Sequence, residues 1–125
     1  MRYIISVSLL LAAVCTLSPA ARATPSLVGD YRVKGINPDG KSGYTGTVNI
    51  SKDGDTFHLK WEVTPNTYIG SGFLRGNYLA VAYTDTKGTW FGVMLYEIKE
   101  DGRILDGKWS LAGSKRVSVE LLTRQ

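Results

Sequence analysis

Apolar and polar residues alternate with a period of two along much of the chain. The apolar positions of five such stretches are Tyr44, Gly46, Val48 and Ile50; Phe57, Leu59, Trp61 and Val63; Leu79, Val81 and Tyr83; Leu105, Gly107, Trp109 and Leu111; and Val117, Val119 and Leu121. No stretch repeats apolar residues at helical spacing over three turns. Because neighbouring side chains of a strand point to opposite faces, the pattern predicts an all-β, antiparallel protein whose strands have one apolar and one solvated face.

Short turn sequences separate these stretches. Asn37-Pro38-Asp39-Gly40 suits a type I turn, whereas Asp53-Gly54, Gly76-Asn77 and Asp101-Gly102 suit tight hairpins because Gly and Asn accept positive φ. Every connection is short, so consecutive strands are predicted to pair as an up-and-down meander. The segments between the turns predict eight strands, at about 29–36, 43–51, 56–64, 67–75, 78–85, 89–99, 103–111 and 115–124.

An aromatic-x-Gly pattern recurs at intervals of one hairpin. Tyr44-Thr45-Gly46, Tyr68-Ile69-Gly70 and Trp90-Phe91-Gly92 each begin a predicted strand. The pattern suggests aromatic rings lying over the bare backbone of a neighbour, and glycine within strands permits the coiling that closes a small barrel. Because closure leaves no unpaired sheet edge, we predict a closed or nearly closed barrel. The alternative is an open twisted sheet of hairpin repeats.

Outer-membrane barrels show the same alternation of polar and apolar residues. Their strands need about 9–11 residues, whereas those predicted here average about eight. The long loops that such barrels extend from one end are also missing from this sequence. We therefore predict no stable membrane insertion.

The first 23 residues have the features of a secretory signal peptide. Arg2 supplies the positive start, residues 4–17 are apolar and uncharged, and Ala21-Arg22-Ala23 gives the small-x-small pattern of a cleavage site. A lipid anchor on Cys15 is not favoured, because Val14 stands where a lipobox has Gly or Ala. We predict cleavage after Ala23 and a periplasmic or secreted location.

Removal of this segment changes the charge and the cysteine count. The chain has 15 basic and 11 acidic side chains, and Arg2 and Arg22 are lost with the signal segment. Residues 24–125 then carry 13 basic and 11 acidic side chains, a net charge of +2. These residues are predicted to form a single barrel domain. So small a charge, without a stripe of Lys and Arg, argues against nucleic-acid binding. The one Cys lies in the signal segment, so neither a disulfide nor a zinc site is available.

Candidate catalytic and metal-binding residues are few. His58, the one histidine, is predicted on the polar face of a strand, and Gly70-Ser71-Gly72 lacks the strand-to-helix setting of a nucleophile elbow. The chain has four Asp-Gly pairs, Asp106-Gly107 among them, and turn formation explains each better than calcium binding does. We therefore predict no enzyme, no metal and no cofactor.

Aromatic residues are the better candidates for a binding site. Trp and Tyr recur on most of the predicted strands, and each combines a large apolar area with one polar group. Such residues either pack the core of a barrel or line a ligand pocket. The residues predicted to line a hollow interior are Trp61, Trp90, Trp109, Tyr68 and Tyr83.

Several segments resemble secreted proteins of known type. Gly29-Asp30-Tyr31, residues 35–40, Tyr44-Thr45-Gly46, Tyr96-Glu97-Ile98 and Asp106-Gly107-Lys108-Trp109 resemble a group of small, largely uncharacterised secreted bacterial β-barrel proteins, some labelled fibronectin-binding. The first segment, together with Gly107-Lys108-Trp109 and residues 117–123, more weakly resembles an avidin or lipocalin frame. These resemblances imply a barrel and, for the first group, adhesion. No binding residue carries over, because none of the matching positions is an identified contact.

The function expected from the sequence is binding without catalysis. The partner is either a small apolar ligand in the barrel or a protein surface. The alternatives are host-matrix adhesion of the fibronectin type, inhibition of an enzyme through the hairpin loops, and a small barrel enzyme that uses His58 with a neighbouring acid at the barrel mouth. A hollow interior of about 300 Å³ or more, lined by Trp and Tyr, would favour a small-molecule ligand.

Overall fold

The computed structural model describes residues 15–16 and 26–125. The predicted signal peptide, residues 1–23, lies outside the described residues except for Cys15 and Thr16, so its cleavage stays a prediction. In the part of the chain that is described, no helix is long and apolar enough to cross a membrane. A short 3-10 helix, Glu100–Gly102, accompanies eight strands: β1 (Gly29–Ile36), β2 (Gly43–Asp53), β3 (Thr56–Val63), β4 (Asn66–Arg75), β5 (Tyr78–Asp85), β6 (Phe91–Lys99), β7 (Ile104–Leu111) and β8 (Ser118–Arg124).

The eight strands form a closed antiparallel barrel. Each strand pairs with the next in the chain, and β1 pairs with β8, for example through Val33 opposite Leu122. The all-β meander predicted from the alternation and the short turns is therefore confirmed, and the open-sheet alternative is wrong. Closure gives every strand two neighbours, so no long edge is left unpaired.

Two strands begin later than predicted because side chains hold the preceding turns. Before β6, the Asp85 carboxylate accepts hydrogen bonds from the backbone N–H and the hydroxyl of Thr89. Before β8, the Ser114 hydroxyl accepts a hydrogen bond of 3.1 Å from the Arg116 N–H. These local bonds replace ladder bonds, so β6 begins at Phe91 and β8 at Ser118 rather than near residues 89 and 115.

The prediction for the two faces of β8 is wrong. Val117, Val119 and Leu121 were expected to face the core, but Val119 and Leu121 are exposed and Ser118, Glu120 and Leu122 point inward. The period of two is present, but its phase is reversed. The cause is that Glu120 has hydrogen-bond donors inside the barrel, described below, which make a buried carboxyl tolerable.

One end of the barrel is filled. This closed end carries the N-terminal segment, the β2–β3 and β4–β5 turns and the 3-10 helix. Side chains from all around the barrel meet there with almost no exposure: Leu27, Tyr31, Ile50, Phe57, Leu79, Ile98, Leu105 and Leu122. The Tyr31 hydroxyl contacts the carbonyls of Leu27 at 2.9 Å and Gly102 at 3.2 Å, and accepts a hydrogen bond of 2.8 Å from Arg124 Nη2. These contacts fix the segment that covers this end.

Two of the three glycines of the aromatic-x-Gly pattern lie under aromatic rings of neighbouring strands, whereas Gly46 lies against the Glu62 backbone carbonyl. A Cβ on Gly70 would meet the Trp61 ring at 2.8 Å, and a Cβ on Gly92 would meet the Tyr83 ring at 2.3 Å. Gly107 is a further glycine of this kind, because it lies within β7, opposite Tyr96. The assignment of Asp106-Gly107 to a turn is therefore wrong. The bare backbone lets large rings lie flat against the wall instead of filling the interior.

Candidate ligand-binding site

The other end of the barrel is hollow. A cavity of about 390 Å³ opens among the β1–β2, β3–β4 and β5–β6 connections, and its volume falls within the range of small-molecule sites. Its walls come from seven of the eight strands and three connections. The lining residues are Asn37, Pro38, Tyr44, Trp61, Val63, Thr64, Asn66, Tyr68, Tyr83, Trp90, Met94, Trp109, Leu111 and Glu120.

All five residues predicted for a hollow interior line this cavity: Trp61, Trp90, Trp109, Tyr68 and Tyr83. Four of them lie within strands, whereas Trp90 lies in the connection just before β6 and stands at the mouth. Their contact with a ligand stays a prediction. Tyr44 and Glu120 line the same cavity and were not among the predicted site residues.

The aromatic rings of the cavity touch each other in a continuous series. Tyr83 is central, with ring centroids 6.0 Å from Trp61, 5.9 Å from Trp90 and 6.2 Å from Trp109. The series extends to Tyr68, 5.7 Å from Trp90, and to Tyr44, 6.3 Å from Trp109. The pairs are tilted or edge-to-face, the geometry that aromatic quadrupoles favour, so the rings support each other around the space.

Glu120 is the buried acid of the site, with only 3% of its surface exposed. Its carboxylate accepts hydrogen bonds from the Tyr44 hydroxyl at 2.8 Å, from the Trp61 indole N–H at 3.3 Å and from the Tyr96 hydroxyl. Burial raises the pKa of Glu120, and these three hydrogen bonds oppose that rise. The group is thus a desolvated carboxyl held in place by donors from three other strands.

Two glycines make this arrangement possible. Glu120 pairs with Gly35 on one side and with Gly107 on the other. Tyr44 lies opposite Gly35, and Tyr96 lies opposite Gly107, so each tyrosine reaches across a glycine to the same carboxylate. The row spans five adjacent strands. The two glycines within predicted strands were the one sequence signal for this row, because a glutamate in a strand, taken alone, is predicted to face solvent.

Two buried polar atoms of the cavity have no hydrogen-bond partner among the described residues: the Tyr83 hydroxyl and the Trp109 indole nitrogen. Burial and the neighbouring Glu120 carboxylate raise the pKa of Tyr83, so the phenol is protonated at neutral pH. A buried donor without a partner costs free energy. Neither atom is accessible to solvent in the free protein, so each can meet a polar group of a bound molecule after a shift of the surrounding rings.

The remaining candidate residues lie elsewhere. His58 is exposed on the outer face of β3, opposite Ser51 and Ser71, and does not line the cavity. Across residues 15–16 and 26–125, no three His, Cys, Asp or Glu side chains come together as a metal site. Asn37-Pro38-Asp39-Gly40 forms the predicted turn, with a 2.9 Å hydrogen bond from the Gly40 N–H to the Asn37 carbonyl.

The outer wall of the barrel also carries apolar side chains. On β6, Phe91, Val93 and Leu95 are about half exposed, and Val119 and Leu121 on β8 are similar. The prediction of one solvated face per strand therefore does not hold for β6 and β8. Lys108 of β7 lies between Leu95 and Val119, so a charged residue interrupts the apolar surface.

The fold and the site together define a closed eight-stranded up-and-down barrel with an aromatic-lined cavity at one end. Comparison with known families and curated proteins found no match. Comparison with solved structures found similar barrels, among them one described as "REP1-NXSQ fatty acid transporter". It superposes with a TM-score of 0.54 at 15% sequence identity and covers 79% of this chain and 96% of its own. At this identity, the likeness establishes the barrel fold.

Proposed function

We propose that this protein binds one small, largely apolar ligand in the barrel cavity. The observation that carries the proposal is the cavity of about 390 Å³ lined by six Trp and Tyr rings. The opposite end of the same barrel is filled by side chains, so the empty space is confined to one end. The volume of this cavity lies within the range of pockets that bind small molecules. The similar barrel named as a fatty acid transporter supports a ligand-holding role for this fold.

The proposed role is binding without chemical change of the ligand. Both oxygens of Glu120 already accept hydrogen bonds, so the carboxyl is held as a structural acceptor rather than poised as a base. His58, the residue of the enzymatic alternative, lies outside the cavity. Ligand recovered unaltered after prolonged incubation with the protein is the expected result, and any product dependent on the cavity would contradict it.

Tryptophan fluorescence offers a direct test, because all three Trp residues of the chain line the cavity. Titration with the neutral apolar probe N-phenylnaphthylamine is expected to change Trp emission and to enhance probe emission with saturation. In Leu111→Trp, the larger side chain enters the cavity and is expected to weaken probe binding about tenfold or more. Leu121→Trp, the same change on the outer wall, is the matched control.

Equal weakening by the two variants would show that the probe binds elsewhere or that the added indole acts nonspecifically. Saturable binding that Leu111→Trp leaves unchanged would exclude the cavity as the site. Circular dichroism of both variants checks that the barrel is retained, so a loss of binding is assigned to the cavity rather than to unfolding.

Binding of a protein surface is the second candidate, and the apolar outer wall of β6 and β8 favours it. Exposed apolar residues in neighbouring positions are typical of interaction surfaces. For the adhesion version, Leu95→Lys with Val119→Lys is expected to abolish binding to immobilised fibronectin while probe binding in the cavity persists. Absence of fibronectin binding by the unaltered protein at micromolar concentration would contradict this version.

We also propose that the protein acts in the periplasm or outside the cell after removal of residues 1–23. The positive start, apolar stretch and small-x-small site support this location. N-terminal sequencing of the exported protein is expected to begin at Thr24. An intact N-terminus, or a lipid on Cys15, would contradict it.

A further inference from the structure

The proposed cavity has an unusual combination of linings: many aromatic rings, one buried acid and no base. We propose that its ligand is an organic cation, an amine or quaternary ammonium carrying an apolar group. This inference rests on the proposed function, because it specifies the chemistry of the ligand that the cavity holds. Three features of the described residues carry it.

The first feature is the aromatic enclosure. Six rings line one cavity, and neighbouring centroids are 5.7–6.3 Å apart. A cation is attracted to an aromatic face when it lies within about 6 Å of the centroid, and the attraction grows when the site is desolvated. With this spacing, an ammonium group seated against Tyr83 also lies near Trp90 or Trp109. Several rings can therefore share one positive charge, as in aromatic cages for quaternary ammonium groups.

The second feature is the charge of the lining. Glu120 is the one acid among the fourteen described residues that line the cavity, and none of the fourteen is Lys, Arg or His. Three donors are aimed at its two oxygens, an arrangement that favours the ionised carboxylate and opposes the rise in pKa that burial causes. A buried carboxylate without a cationic partner is costly, and a cation bound in the same cavity reduces that cost.

The third feature is the unpartnered Tyr83 hydroxyl at the centre of the aromatic series. A phenol oxygen accepts hydrogen bonds as well as donating them, so after a shift of the ring this buried hydroxyl can accept an N–H from a primary or secondary ammonium. The Trp109 indole N–H, also without a partner among the described residues, can donate to an oxygen elsewhere in such a ligand. Both atoms thus match an amphipathic amine.

The same features disfavour an anionic ligand. A fatty acid carboxylate in this cavity would meet Glu120 and no basic side chain. Like charges at short distance in a desolvated site repel strongly. The similar barrel named as a fatty acid transporter shares 15% of its sequence with this chain, so the fold does not require a common head-group preference.

The test compares three ligands of similar size and different charge. Phenyltrimethylammonium is a cation, tert-butylbenzene is its neutral isostere and benzenesulfonate is an anion. Each competes with N-phenylnaphthylamine for the full-length mature protein. The cation is expected to bind about tenfold or more tightly than the isostere, and the anion is expected to compete least. Equal or tighter binding of the isostere would overturn the inference.

Two variants assign the preference to the proposed groups. Glu120→Gln removes the charge and is expected to reduce cation affinity about fivefold or more while neutral binding changes little. If that variant does not fold, Trp90→Leu at the mouth of the cavity removes one ring of the enclosure and is expected to lower cation affinity more than isostere affinity. Tyr78→Leu, an aromatic change on the outer wall, is the matched control.

Failure of this inference differs from failure of the proposed function. If N-phenylnaphthylamine binds in the cavity but the cation does not compete, the inference is wrong and the proposed function stands. If the probe itself does not bind, the proposed function fails first. A cation preference that both Glu120→Gln and Trp90→Leu leave unchanged would place the cation outside the cavity and overturn the inference.

Discussion

At the residue scale, the buried tyrosines contribute differently according to what their hydroxyl groups contact. Tyr96 donates to the Glu120 carboxylate, whereas the Tyr83 hydroxyl has no partner among the described residues. Hydrogen bonds to charged groups stabilise more than neutral ones do, and a buried hydroxyl without a partner costs free energy. The two residues therefore offer a matched comparison within one core.

We expect Tyr96→Phe to lower the free energy of unfolding by about 1.5–3 kcal/mol, because Glu120 loses a donor. The same change at Tyr83 is expected to be neutral or slightly stabilising in the free protein. Urea unfolding of both variants, followed by circular dichroism, measures the difference. Equal losses of stability at the two positions would contradict the assigned hydrogen bonds.

The tyrosines also determine how stability depends on alkaline pH. Burial, with the adjacent Glu120 carboxylate, raises the pKa of Tyr44, Tyr83 and Tyr96. Above about pH 10, these phenols lose their protons in the unfolded chain but keep them in the folded barrel. Because the unfolded state then binds fewer protons, the free energy of unfolding falls as the pH rises further.

The contribution of these tyrosines to the free energy of unfolding is thus expected to be fully present below about pH 10 and to decline above it. Tyrosinate absorbance measures the effect: at about pH 11, the native protein is expected to show less ionised tyrosine than the protein in urea. Coincident titration curves for native and unfolded protein would show that these phenols are not shielded in the barrel.

At the scale of elements, five adjacent strands meet in the row Tyr44, Gly35, Glu120, Gly107 and Tyr96. Each glycine leaves room for the ring that crosses it. A Cβ on Gly35 would lie 2.1 Å from the Tyr44 ring, so an alanine there forces the ring away from Glu120. The row connects strand register directly to the geometry of the cavity.

Gly35→Ala is accordingly expected to destabilise the barrel by about 1–3 kcal/mol. In a Tyr44→Ala background, the same change should cost much less, because the clashing ring is gone. Gly43→Ala serves as the mild control on the adjacent strand, because its Cβ would come no closer than 3.2 Å to the nearest atom, the Gly35 carbonyl oxygen. Equal costs of Gly35→Ala in both backgrounds would contradict the proposed clash.

The eight strands could be predicted because their signals are local. Alternation and turn residues such as Asn37-Pro38-Asp39-Gly40 act within a few residues, and the short connections predict the strand order. Closure was predictable because it leaves no unpaired sheet edge. The inward position of Glu120 could not be predicted, since it depends on Tyr44, Trp61 and Tyr96 from three distant strands. The volume of the cavity likewise depends on how rings from several strands settle over glycines.

At the scale of the whole molecule, the barrel divides into a filled end and a hollow end. Tyr31 and Leu27 seal the filled end, and Arg124 of β8 holds the segment before β1 by donating to the Val28 carbonyl at 3.0 Å. The hollow end carries the aromatic series and the buried acid. A packed core at one end therefore stabilises a barrel that keeps space for a ligand at the other.

The most direct test of this account is an amide and indole N–H correlation spectrum of nitrogen-labelled mature protein during titration with N-phenylnaphthylamine. The protein has three Trp residues, and all three line the cavity. The account predicts that all three indole signals shift with saturation, while the amide signals of His58 and Val119 on the outer wall stay in place. Unmoved indole signals, or shifts confined to the outer wall of β6 and β8, would contradict it.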